Sequence, residues 1–207
     1  MKEQTASRPY RQRRRAEAAE ANTERILQAG LDLFLERPWD QITLAAVAER
    51  AGVGLQTVIR RVGTKDGLSR AVNEWTAPKV AATRGEATSS EPGGVAASLA
   101  RHYERWGAST DRLLRQEDVS PSLAEAAAAG RRAHREWVEA AFAAPLAACP
   151  APAARTKLIA RLIGVCGIEL WLVLRRDAGL SVNDARDAVA DLVAAWLASP
   201  PTPAPES

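Results

Sequence analysis

Four side chains between positions 56 and 61 have the chemistry to read a base edge or to hold a phosphate. Gln56 can donate and accept at once, which suits adenine in a major groove, and the Thr57 methyl can touch a thymine methyl. Arg60 and Arg61 can bind phosphate oxygens or place a fork of donors on guanine. On an ordinary solvated helix the same four would only start the helix and face water. The flanking elements decide between these readings.

Residues 43–65, TLAAVAERAGVGLQTVIRRVGTK, predict two short helices joined by a tight turn. Thr43 suits the N-cap, where its hydroxyl can accept from an orphan amide of the first turn. Leu44, Val47, Ala48 and Ala51 recur at helical spacing and line one buried stripe. Gly52 falls where the first helix must stop, since glycine takes the left-handed cap conformation without steric cost. Val53 plugs the corner, and the second helix is expected to turn Val58, Ile59 and Val62 inward. Such a pair forms a helix-turn-helix, whose second helix can lie in a DNA major groove.

The surroundings follow in order. Residues 1–20 predict a flexible basic arm whose Arg13, Arg14 and Arg15 can reach phosphates or a narrow minor groove. A helix over 22–37, capped by Asn22 and ended by Pro38, braces the pair. Thr64 caps a fourth helix from 65 to 75, extending as far as 84, and a polar loop spans 83–94. Further helices are expected over 95–108, 111–117, 122–146, 153–176 and 182–197. The domain plan is an arm over 1–20, a helix-turn-helix domain over 21–66, a ligand-binding and dimerisation domain over 67–198, and a disordered tail over 199–207. No segment alternates apolar and polar residues cleanly for a strand's length, so the fold class is all-α, with about nine helices.

The composition is that of an ordinary globular chain, 46% hydrophobic and 26% charged. Residues 1–65 hold 12 Lys and Arg against 8 Asp and Glu, and the remainder holds 16 against 17. A basic front and a faintly acidic back point the front alone at a polyanion. The acidic excess behind it disfavours a strongly anionic small molecule there. Cys149 and Cys166 have neither the number nor the spacing of a disulfide framework or zinc site. His102 and His134 lack partners at metal-ligand spacing, so neither metal nor cofactor is implied. The arginine-rich N-terminus has no apolar core of a secretory signal. The apolar run 158–174 is interrupted by Arg161 and Glu169 and reads as a buried helix rather than a membrane span. No Gly-x-Ser-x-Gly, His-Glu-x-x-His or phosphate loop supports an enzyme.

The C-terminal part carries Trp75, His102, Tyr103, Trp106, His134, Trp137, Glu169 and Trp171, residue types that suit an apolar pocket with a few orienting polar groups. Each aromatic also suits a plain core.

Residues 25–68, RILQAGLDLFLERPWDQITLAAVAERAGVGLQTVIRRVGTKDGL, resemble the TetR family of bacterial transcriptional regulators. The resemblance lies in the aliphatic first helix, the Thr before the second, the Ala-x-x-Ala-Gly-Val corner and the Gly-Thr-Lys-Asp-Gly-Leu turn. It implies that Thr43 and Lys65 hold phosphates at helix N-termini. It also implies that the last two helices, through Leu158, Leu162, Val165, Leu172, Val189, Leu192, Val193 and Trp196, form a dimer interface. The chain departs from the family at Ile59 and Val62, where aromatics are usual; Arg60 or Arg61 would then supply the phosphate contact. The resemblance implies a cytoplasmic, nucleoid-associated homodimer on a palindromic operator, a repressor released by a small-molecule effector. The rivals are a nucleoid-type protein binding DNA without sequence preference and a helical enzyme.

Overall fold

The computed structural model describes residues 8–85 and 90–198, and every regular element among them is helical. Helix α1 covers Arg8–Glu36. It begins well before the expected start at Asn22, because residues 12–22 are mostly strong helix formers with no breaker. An i,i+4 ion pair, Arg13 to Glu17 at 2.9 Å, lies on this extension. Asn22 is therefore inside the helix, where its Oδ1 accepts from Arg25 at 2.6 Å. Of the expected arm, residues 8–20 are helical here, and 1–7 lie outside the described residues, as does the tail 199–207.

Pro38 closes α1, and a single 3-10 turn, Trp39–Gln41, leads to α2 over Leu44–Ala51. Thr43 caps α2, its Oγ1 accepting from the Ala46 amide at 3.1 Å. Gly52 ends it at φ 63°, and the Val53 amide returns to the Ala48 carbonyl. Helix α3 covers Leu55–Val62 and α4 covers Lys65–Arg84, the latter capped by Thr64 through the Gly67 amide at 3.0 Å. Gly67 is required by close approach: a Cβ there would collide with the Val62 carbonyl oxygen. Ile26, Leu33, Trp39, Ile42, Val47, Val58 and Leu68 make one apolar cluster under these four helices.

The rest forms a second cluster. Helix α5 runs unbroken over Pro92–Arg115, joining two helices expected to be separate, because Ser109 and Thr110 carry no breaker and Ser109 bonds back to the Trp106 carbonyl. Helix α6 covers Pro121–Ala141 and stops at Phe142, leaving the five-residue α7, Ala143–Ala147. The expected helix over 153–176 divides at the extended Gly167 into α8, Pro152–Val165, and α9, Ile168–Leu172. A π-helical turn over Val173–Asp177 and Gly179 at φ 67° precede α10, Val182–Ala198. Leu99, Val138, Phe142, Leu158, Leu162, Val189 and Val193 are the buried heart of this body.

The two clusters are stitched together. The Trp39 amide donates to Gln116 Oε1 at 2.7 Å, and the Ser122 hydroxyl donates to Asp66 at 2.9 Å. Arg70 pairs with Glu125 at 2.9 Å, and Leu123 of α6 inserts into the N-terminal cluster. No helix among the described residues is long and apolar enough to cross a membrane.

Candidate nucleic-acid interface and internal cavity

On α3, Val58 is fully buried while Gln56, Ile59 and Arg60 are exposed together. Their 3- and 4-residue spacing places them on one outward face. Ile59 was expected to turn inward; it is 38% exposed, because Val58 and the half-buried Val62 already fill the inner side. Leu55, one turn earlier, is 41% exposed, so this face has an apolar strip beside its polar groups. Arg60 makes no hydrogen bond or ion pair among the described residues and projects as an unengaged cation. Arg61 is also exposed but leans back, donating to the Ala19 carbonyl of α1 at 3.3 Å. Thr57 is half-buried.

Thr43 and Lys65 stand at the first turns of α2 and α4, where unpaired amides and the helix dipole favour an anion. With its oxygen engaged by the Ala46 amide, the Thr43 hydroxyl still has a proton to donate. Lys65 holds its ammonium 4.9 Å from the Trp39 ring centroid. Partial burial lowers its pKa, opposed by Asp40 and Asp66. Arg13 and Arg14 lie exposed on α1, whose backbone also carries Arg15.

Behind this surface lies a cavity of about 660 Å³. Its wall draws on both clusters: Leu31 and Phe34 of α1, Trp39, the inner stripe of α4, and residues of α5, α6, α8 and α9. His102, Tyr103, Trp106, His134, Trp137 and Glu169 stand on it together. Trp75 and Trp171, expected beside them, do not. Trp75 is covered by the Lys79 ammonium at 3.1 Å, and buried Trp171 spends its indole N–H on Glu104 at 3.2 Å.

The wall's electrostatics centre on Arg84, which the sequence reading passed over as a helix end. Its signal was the stripe Leu68, Val72, Thr76, Val80, Arg84 at i,i+4 spacing, a cation on the inner face of α4. One Nη lies 3.2 Å from His134 Nδ1 and the other 3.5 Å from the Tyr103 hydroxyl. The guanidinium only donates, so His134 Nδ1 accepts and its Nε2–H donates to the Ile163 carbonyl at 3.1 Å. That tautomer is neutral, in keeping with a His134 pKa lowered first by burial. His102 is held down to about 3, by burial and then by Arg84 and His134. Arg84 Nε, Trp106 Nε1 and Trp137 Nε1 are buried donors without a partner among the described residues.

The expected dimer residues fall into two groups. Leu158, Leu162, Val165, Val189 and Val193 are buried inside the protomer's own body, where α10 packs on α5 and α8, and α8 on α6. Leu172 and Trp196 are half-buried, Trp196 under the Arg161 guanidinium at 4.5 Å, and Leu192 is 39% exposed.

These features define a helix-turn-helix domain joined to a helical body with a large cavity between them. Residues 26–72 match the tetR family of bacterial regulatory proteins. Three solved structures share the fold. A tetR-family transcriptional regulator from Streptomyces coelicolor is 19% identical, with a TM-score of 0.55 over 86% of this chain and 79% of that one. The SmeT–triclosan complex is 20% identical, with a TM-score of 0.55 over 90% of this chain and 100% of that one. The multidrug binding protein EbrR complexed with imidazole is 22% identical, with a TM-score of 0.51 over 87% and 90%. No curated protein matches the sequence. Residues 26–72 thus carry the N-terminal domain of the tetR family, and the described chain shares the overall fold of these solved regulators.

Proposed function

We propose that the protein is a homodimeric, cytoplasmic transcriptional repressor that a small-molecule effector releases from a palindromic operator. The observation that carries this reading is the cavity wall shared between the DNA-binding unit and the body. Phe34 and Trp39 come from one side, His134 and Trp137 from the other, and α4 runs along both. Its first turn abuts the end of α3 at Gly67 and Val62, and its last turn brings Arg84 to the cavity. An occupant that fits one angle between unit and body better than another would shift the population of poses, and with it the spacing of two recognition helices. The neighbours' ligands, triclosan and imidazole, support a body built to take small molecules.

Base readout falls to Gln56, Thr57 and Arg60, with Ile59 offering an apolar contact to thymine methyls. Thr43, Lys65, Arg61 and the α1 arginines Arg13, Arg14 and Arg15 hold the backbone. Dimerisation uses the outer faces of α8 and α10, where the exposed Ala160 and the line Ala188, Leu192, Ala195 leave room for close helix approach. The protein acts by binding rather than by catalysis.

Fluorescence anisotropy against fragments from upstream of its own gene, at several salt concentrations, tests the reading. One fragment should bind at physiological salt, and Arg60→Ala should weaken it by about 1–3 kcal/mol. Equal binding to every fragment, vanishing steeply with salt, would leave only phosphate contacts and favour a nucleoid-type protein.

A further inference from the structure

We infer that the cavity takes an organic anion: a carboxylate, or an equally flat acid, on a largely apolar body, with its charge on Arg84. This rests on the ligand-responsive reading above and narrows it to a chemical class. Arg84 is half-buried, with its Nε fully so, and a guanidinium drawn out of water is costly unless an acid or a full set of acceptors surrounds it. Arg84 has neither. Its partners among the described residues are a neutral imidazole at 3.2 Å, a phenol at 3.5 Å, and the Trp137 ring at 5.2 Å. Arg84 nonetheless stays charged, since guanidinium is not deprotonated in proteins.

The other unmet groups point the same way. Trp106 Nε1, Trp137 Nε1 and Arg84 Nε are all donors, and among the described residues no side-chain acceptor on the wall is left buried and unpaired. The complement of two indole donors and a planar cation is a group of acceptors with negative charge. The acid on the wall among the described residues, Glu169, forms no ion pair with Arg84, so the guanidinium's charge is left for a guest to answer. The mild acidity of the C-terminal part, expected to disfavour anions, is outweighed by this one local charge.

Isothermal titration with three isosteric probes tests the inference: 2-naphthoate, neutral 2-naphthamide and cationic 2-naphthylmethylammonium. Naphthoate should bind the wild-type protein about tenfold tighter than the amide, with the cation weakest. Arg84→Met should bring naphthoate and amide level, whereas Arg84→Lys, which keeps the charge, should retain the preference. The inference is overturned if the amide or the cation matches naphthoate on the wild-type protein, if naphthoate gives no heat at millimolar concentration, or if folded Arg84→Met keeps the preference. The wild-type comparison stands even if that variant does not fold. Loss of fragment-specific DNA binding would remove the regulatory reading and leave these heats untouched; equal heats would remove the anion and leave the regulator.

Discussion

At the scale of single residues, His102 makes the protein acid-sensitive in a defined window. Its pKa is about 3 when folded, against an ordinary 6.5. Below pH 6.5 the unfolded chain takes a proton that the folded chain refuses, so stability is intact above 6.5 and is lost as pH falls toward 3. One such proton gives a slope of up to about 1.4 kcal/mol per pH unit. His134, lowered in the same direction, steepens it. Urea unfolding across that range should show the slope, and His102→Gln should flatten it; a wild-type stability independent of pH would contradict the burial argument. Residues with local duties were the legible ones. Thr43, Gly52 and Thr64 cap or end helices with neighbours at most four positions away, so spacing alone reveals them. For Arg84 the spacing shows only its place on the inner stripe of α4; what distinguishes it is a missing acid, and only the packing of α4, α5 and α6 shows which acids are out of reach.

Among the elements, the junction of α3 and α4 has the least tolerance. Gly67→Ala would press a methyl against the Val62 carbonyl, at a cost of about 1–3 kcal/mol. Thermal unfolding should register the loss, and operator affinity should drop with it as α3 shifts. On α10, Leu192→Glu should leave the protomer folded, since the side chain is 39% exposed, yet place a charge in the dimer face. Sedimentation should then show monomer, with operator binding weakened. Leu162→Ala should instead cost about 2–5 kcal/mol in the protomer itself. The contrast separates partner contact from core, which periodicity could not do: α8 and α10 are apolar on both sides, and only burial tells which side is spent. Helix ends away from caps were likewise hidden. Nothing in Cys166-Gly167 or Phe142 forbids helix, and the breaks there follow from how α8 and α6 meet their neighbours.

For the whole molecule, the N-terminal unit is not self-contained. A chain cut after residue 85 loses Leu123, which is 3% exposed within the N-terminal cluster, and the carboxamide that receives the Trp39 amide. Circular dichroism of that fragment should show less cooperative melting and a lower midpoint than the full chain. A midpoint equal to the full chain's would mean that the borrowed side chain adds nothing.

The borrowed leucine also bears on anyone wishing to build hybrid sensors by grafting this DNA-reading head onto a foreign effector domain. The obvious seam after residue 66 falls inside the first turn of α4, and the true joint is a patchwork of Asp66, Arg70, Gln116, Ser122 and Leu123. A graft cut at that seam would lose Leu68 and Leu123 from the cluster and leave the Trp39 amide and Asp66 unanswered. One that carries the α5–α6 turn along with it, swapping a surface rather than a sequence interval, keeps the head closed.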